Sequence, residues 1–217
     1  MRQNLTWGGK TSNKFQYGVE KQDNSQRIYG MRKLFLFDCF GVVVSDVSTL
    51  WLDRHCDEEQ KRYVRSELFR KVDTARMSQE ELYEQLAALC GISKRSLVDE
   101  WESLVYVKQD TIETIKRIRR QGDVVALLSN ASVEYVDYLF TKFNLYQYFD
   151  KIFVSARYKT AKPDRDFYRI CLDGFTEKFD KIYFTDDNPV NLENLQELGI
   201  TPILFTNAAQ FEKDVKE

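Results

Sequence analysis

The sequence predicts an α/β fold: a doubly wound parallel sheet, Rossmann-like in outline, with a small α-helical module inserted after the first strand. Three observations lead there. Five short runs, apolar on both faces, recur along the chain. Helical periods lie between the later runs, as βαβ units require, and residues 46–107 carry helical periods with no strand among them.

The first run, Leu34-Phe35-Leu36-Phe37, ends on Asp38 and breaks at Gly41 before Val42-Val43-Val44. An ionised carboxylate there must be paired, metal-bound or exposed at a sheet edge, because an isolated buried charge is strongly unfavourable. Carboxyl ends of strands are also where open α/β sheets bind ligands. Residues 46–107 then read as consecutive helices. They are Glu58 to Lys71; Ser78 to Cys90, opened by the capping box Ser78-Gln79-Glu80-Glu81 and closed by Gly91; and Ser93 to Leu104.

A helix from Gln109-Asp110 carries Ile112, Ile115 and Ile118 on one face and ends in the cations Lys116, Arg117, Arg119 and Arg120, which suit the dipole and solvent. The second strand, Asp123 to Leu128, leads to Ser129-Asn130 and a helix after Ser132 with Val133, Val136, Leu139 and Phe140. The third, Lys151 to Val154, is followed by Lys162-Pro163 and a helix opened by Pro163-Asp164. The fourth, Lys181 to Phe184, leads through Asp186-Asp187-Asn188-Pro189 to a helix with Val190, Leu192, Leu195 and Leu198, stopped by Gly199. Thr201 to Phe205 is the fifth. The predicted organisation is a core of residues 31–45 and 108–217 and an inserted cap of residues 46–107. Residues 1–30, rich in Asn, Gln, Gly, Ser and Lys, read as a poorly ordered extension, with Met31 as the effective start of the fold.

With 43% hydrophobic and 30% charged residues, 217 residues can bury a substantial core. A formal net charge of -2 and a pI near 5.7 give no global basic field for nucleic acid or an anionic membrane. No apolar run approaches the ~20 residues of a membrane helix, and Asp38 interrupts the one stretch that resembles a signal-peptide core. Cys39, Cys56, Cys90 and Cys171 are scattered, which indicates neither zinc nor a disulfide framework and fits a cytoplasmic setting. Tyr138, Tyr146, Tyr148 and Phe149 are expected in a core rather than an interface; the oligomeric state is left open.

In a parallel sheet the ends of successive strands share an edge, so Asp38, Ser129, Lys162 and the Asp186-Asp187 pair converge. That set suits phosphoryl transfer on a small phosphorylated molecule. A carboxylate can attack phosphorus. Asp38 and Asp186 repel and call for a hard divalent cation such as Mg²⁺ between them. Lys162 offsets the remaining charge, and Ser129 with the N–H groups of the next helix supplies neutral donors to phosphate oxygens.

Four motifs occur in order from about Met31 to the C-terminus: Phe37-Asp38-Cys39-Phe40-Gly41-Val42, Leu128-Ser129-Asn130, Ala161-Lys162-Pro163-Asp164, and Phe184-Thr185-Asp186-Asp187-Asn188-Pro189-Val190-Asn191. Together they resemble those of the haloacid-dehalogenase superfamily, in the subgroup with a helical cap after the first strand that holds many sugar-phosphate phosphatases. The resemblance implies Asp38 as nucleophile and Mg²⁺ ligand, the Phe40 backbone carbonyl as a second ligand, and Asp186 as the main distal ligand with Asp187 and Asn191 around it. It places Ser129, Asn130 and Gly41 about the phosphate, and Lys162 between nucleophile and phosphate. The cap would exclude water and choose the leaving group.

Phe40 departs from the pattern. Phosphatases of this family usually carry Asp there, which protonates the leaving oxygen and later activates water, help worth about 10²- to 10⁴-fold. Three readings follow. The expected one is a Mg²⁺-dependent phosphatase of a small metabolite such as a sugar phosphate, with a good leaving group or a proton from the cap, for which Asp46, Asp53 and His55 are candidates. A metal-independent 2-haloacid dehalogenase suits Phe40, but not the acidic Asp186-Asp187 or the absence of Arg between Val42 and Leu50. The third is a weak or inactive binding protein on the same fold, against which the full set of Asp38, Ser129, Lys162 and Asp186 argues.

Overall fold

Residues 32–216 are described by a computed structural model; the extension expected over residues 1–30 lies outside them. Five parallel strands, β1 (Lys33–Phe37), β2 (Val124–Ser129), β3 (Lys151–Val154), β4 (Lys181–Asp186) and β5 (Ile200–Leu204), form one sheet in the order β3-β2-β1-β4-β5. The chain therefore winds outward in both directions from β1, and the strand order reverses beside it. The crevice of a doubly wound sheet opens at that reversal, which puts Asp38 at its floor.

The helices are α1 (Val47–His55), α2 (Glu58–Tyr63), α3 (Arg70–Asp73), α4 (Gln79–Cys90), α5 (Lys94–Ser103), α6 (Gln109–Arg120), α7 (Val133–Lys142), α8 (Ser155–Tyr158), α9 (Arg165–Asp173) and α10 (Ala208–Asp214). Strand residues alternate between two apolar layers. Phe35, Phe37, Val125 and Leu127 meet Ile112 and Ile115 of α6, Val136 and Leu139 of α7 and Phe211 of α10. Leu34, Leu36, Ala126 and Phe184 meet Phe167, Tyr168 and Cys171 of α9 on the other face. Each Leu, Ile, Val or Phe among them contributes roughly 1.5–3 kcal/mol by burial, which is why these strands read as unbroken apolar runs. The cations ending α6 are tied down at its surface, Arg119 to Asp150 and Arg117 to Glu212.

The insert between β1 and α6 is helical throughout. α4 has the predicted capping box: Ser78 Oγ accepts from the Glu81 N–H at 3.2 Å, Glu81 accepts from the Ser78 N–H at 2.8 Å, and Gly91 closes the helix at φ +65°. The helix expected from Glu58 to Lys71 runs on to Asp73 through a wider π-helical stretch, Val64–Phe69, between α2 and α3. α1 was not foreseen, although Asp46 caps it and Val47, Trp51 and Leu52 form its buried face. The two linkers to the core are zipped together: Ser45 N–H donates to Tyr106 O, Lys108 N–H to Val43 O, and Ser45 Oγ–H to Leu104 O. Farther out, Trp101 Nε1–H donates to the Tyr135 hydroxyl at 2.9 Å, and the Tyr135 ring stacks on Phe40 at 5.9 Å.

The helix expected after Pro189 is not continuous. It is two 3₁₀ turns, Pro189–Leu192 and Leu195–Leu198, broken at Asn194 with φ +58°. The cause lies elsewhere in the fold: the Asn191 carbonyl, which would accept the helical bond from Leu195, accepts instead from the Tyr168 hydroxyl of α9 at 2.6 Å, and the Asn191 side chain donates to Asp186. Of the aromatic group near α7, Phe149 is buried, Tyr146 and Tyr148 pack against the core, and Tyr138 is 45% exposed with its hydroxyl donating to Glu102. All four cysteines are free thiols. Among the described residues no helix is long and apolar enough to cross a membrane.

Candidate active site

Asp38 follows β1 and is fixed by its own backbone, whose N–H donates to Thr185 O of β4 at 3.0 Å. Lys162 reaches the same place from the loop before α9. Its Nζ donates to Asp38 Oδ1 at 2.7 Å and to Asp186 Oδ2 at 2.6 Å, with all three side chains buried. Asp186, the last residue of β4, also accepts from the Asn188 N–H at 2.8 Å and from Asn191 Nδ2 at 3.1 and 3.0 Å. Its orientation is thus set by four hydrogen bonds from three donor groups, an arrangement that a charged group needs when taken out of water.

The electrostatics follow from burial. Burial pushes the Asp38 carboxyl up to about 8, with Lys162 pulling it down and Asp186 raising it. For Lys162 burial disfavours the charge, but Asp186 and Asp38 outweigh it and hold the ammonium above the ordinary lysine value. Asp187 is raised to about 6 by burial and by the neighbouring Asp186. Oxygens of Asp38, Asp186 and Asp187 lie within 4.8 Å of one another, near the roughly 4 Å between opposite oxygens around one Mg²⁺. Three carboxylates face one ammonium, so a divalent cation fits both the donor set and the charge.

Gly41 has a different part from the one expected at the phosphate. It does not line the cavity, and its N–H is committed to Val44 O. At φ +79°, a Cβ added there would meet Asp187 Oδ2 at 1.9 Å, so the glycine makes room for that carboxylate. Asn130 also holds protein rather than open space: its amide donates to Lys162 O at 2.9 Å and its Oδ1 accepts from the Lys162 N–H at 2.8 Å, a two-point clamp that aims the lysine. Ser129 is fully buried at the end of β2, its hydroxyl making no hydrogen bond of good geometry and having the Cys39 thiol as its polar neighbour.

A cavity of about 800 Å³ lies between this edge of the sheet and the insert. Asp38, Phe40, Asn130, Lys162, Asp186, Asp187 and Asn191 line it from the core side, and Asp46, Arg65, Arg70, Asp73 and Gln79 from the insert. Two of the three foreseen proton donors are elsewhere. Asp53 is paired with Lys61 at 2.7 Å on the surface, and His55 stacks on Trp51 and meets Glu100 at 2.6 Å. Asp46 does line the cavity, but its Oδ1 is occupied by Ser48 Oγ and the Thr49 N–H. Arg65, Arg70 and Asp73 were missed; they sit within or just after the π-helical stretch, whose altered winding no residue pattern announces.

Residues 51–205 match the profile of the haloacid dehalogenase-like hydrolases. The chain belongs to that family. A curated relative of this haloacid dehalogenase-like hydrolase, drimenol cyclase from Aspergillus calidoustus, is 25% identical over 159 residues; the match takes in 69% of the chain but 30% of that longer protein. A predicted family hydrolase from Porphyromonas gingivalis superposes with a TM-score of 0.67 at 19% identity, covering 87% of this chain and all of the other. A family enzyme from Bacteroides thetaiotaomicron, in complex with magnesium and inorganic phosphate, gives 0.62 at 20% identity, covering 82% and 95%. L-2-haloacid dehalogenase from Xanthobacter autotrophicus, with chloropropionic acid covalently bound, gives 0.59 at 15% identity, covering 86% and 83%. At these identities the structures establish the shared fold of the haloacid dehalogenase-like hydrolases.

Proposed function

We propose that the protein is a Mg²⁺-dependent phosphatase of a small phosphorylated metabolite, sugar phosphates foremost, and that Asp38 becomes transiently phosphorylated. The observation that carries this reading is Lys162 Nζ held between Asp38 Oδ1 and Asp186 Oδ2. A lone nucleophilic carboxylate would need no second acid fixed by four hydrogen bonds; an acid pair around a dication does. The magnesium and phosphate in the Bacteroides enzyme support the same cofactor.

Asp38, Asp186 and Asp187 would hold the ion, with the Phe40 carbonyl as a further oxygen. Mg²⁺ would supply positive charge to the phosphoryl oxygens. The chain's own residues do the rest. An Asp38 oxygen attacks phosphorus while the ester oxygen departs with its electron pair. Lys162 keeps Asp38 aimed and offsets the charge that builds on the phosphoryl group. Asn130 and Asn191 hold Lys162 and Asp186 in place, and the insert shields the acyl phosphate from premature hydrolysis.

The test is phosphate release from a panel of phosphorylated metabolites with and without Mg²⁺, using Asp38→Asn as the blank. Metal-dependent release that the variant lacks is the expected result. Chloride release from 2-chloropropionate without metal, and no phosphate release, would replace the reading with a dehalogenase. Absence of both, with Mg²⁺ still bound, would favour a binding protein on this fold.

A further inference from the structure

Phe40 leaves the proposed reaction without an acid for the departing oxygen, and its ring is stacked on that of Tyr135. The cavity itself offers four other carboxylates beyond the nucleophile. Asp186 accepts from Lys162, Asn188 and Asn191 and is taken by the ion in the reading above. Asp187 fills the recess left by Gly41, and Asp46 caps α1. Asp73, the last residue of α3, is different. It lines the same cavity as Asp38, and among the described residues its carboxylate has neither a hydrogen bond nor an ion pair. It is half-buried, opposite Lys162 from the core and Arg70 from the preceding turn.

The geometry points to Asp73 as the proton donor to the leaving oxygen, an assignment that rests on the phosphatase reading above. In the first half of the reaction the Asp38 oxygen bonds to phosphorus and the P–O bond to the alcohol breaks. The electron pair stays on the ester oxygen, and the Asp73 carboxyl proton moves to it. An alcohol leaves, with Asp73 as carboxylate and Asp38 as acyl phosphate. In the second half water attacks phosphorus, Asp73 takes its proton, the Asp38–phosphorus bond breaks, and inorganic phosphate and the starting enzyme are restored.

Asp73 has the acidity for both halves. Burial raises its carboxyl from the ordinary range to about 7, with Lys162 and Arg70 limiting the rise. A general acid works best when its proton is present at the operating pH yet readily given up. Its delivery from the insert also fits the local backbone, because the π-helical stretch Val64–Phe69 directly precedes α3, and such irregular turns concentrate at functional sites.

An acid matters most when the departing oxygen is a poor leaving group. The experiment therefore compares kcat/KM, which reports events up to alcohol departure, on an alkyl phosphate and on 4-nitrophenyl phosphate, for wild type, Asp73→Asn and Asp73→Glu. With Asn the expected loss is about 10²-fold or more on the alkyl ester and about tenfold or less on the aryl ester, and Glu restores part of the alkyl activity. Equal losses on both esters, or no loss on the alkyl ester, would overturn the assignment while leaving the phosphatase reading intact. A wild type that hydrolyses neither ester would overturn both.

Discussion

Replacing Lys162 by methionine removes the ammonium between Asp38 and Asp186 while keeping a side chain of similar length. Both carboxylates are buried, and breaking a buried ion pair from one side costs about 3–5 kcal/mol because the remaining charge is left uncompensated. Folded domains have roughly 5–15 kcal/mol in all. At about 2–4 °C per kcal/mol for a chain of this size, the melting temperature should fall by ~6–20 °C. The pH dependence has a definite sign. Burial already raises the Asp38 carboxyl from 3.8 to about 8, and without Lys162 it rises further. In both proteins the folded state keeps a proton that the unfolded state has released, so stability falls as pH rises above about 4; in wild type that fall ends as Asp38 ionises near 8, whereas in the variant it continues, so the deficit widens above about pH 8. The measurement is urea unfolding followed by tryptophan fluorescence, for which the buried Trp51 and Trp101 are suitable reporters, at pH values about one unit below and one unit above the Asp38 value of about 8, with chelator and with Mg²⁺. Added Mg²⁺ should recover part of the loss. A deficit under about 1 kcal/mol at the higher pH, or one that grows on acidification, would refute the reasoning.

Three further outcomes are expected. Gly41→Ala places a methyl group 1.9 Å from Asp187 Oδ2 at φ +79°; Mg²⁺ affinity measured by calorimetry should drop, and stability should fall by about 1–2 kcal/mol or more from the left-handed backbone alone. Asn191→Ala strips two hydrogen bonds from buried Asp186 and should cost about 1–3 kcal/mol in chemical unfolding. Asp73→Asn should stabilise the fold while slowing catalysis. The folded carboxyl titrates near 7 rather than 3.8, so its ionisation opposes folding as pH rises through that window; allowing for partial exposure, the gain is about 1–2 kcal/mol above pH 7 and none below about pH 4. Thermal scans across that range decide it.

Much of the core was legible because its signals are local. β1 and β2 are apolar on both faces, and the predicted ends of four strands carry the polar groups that the structure gathers at one edge. Ser78 and Gly91 mark the ends of α4 by their own side-chain and backbone chemistry. What stayed hidden depends on contacts distant in sequence. The apolar spacing of residues 190–198 suggests one helix, but Tyr168 captures the Asn191 carbonyl from across the fold. Asn130 is indistinguishable from a helix-start polar residue until its clamp on the Lys162 backbone is visible. Asp73 ends an ordinary-looking charged helix; one extra residue in the winding before it turns everything that follows by about 100°, and no side-chain pattern records that turn.

The paired linkers have a mechanical consequence. Because Ser45 and Val43 are hydrogen-bonded to Tyr106 and Lys108, the two strands of the neck cannot slide past one another without breaking those bonds. The insert is left with a single hinge axis instead of two independent tethers. Lys108 also donates through Nζ to the carbonyl of Gly41, the residue whose missing side chain seats Asp187. Swinging the insert outward therefore pulls on the loop that seats Asp187, so that in the proposed reaction access for substrate and grip on the cation would be a single coordinate.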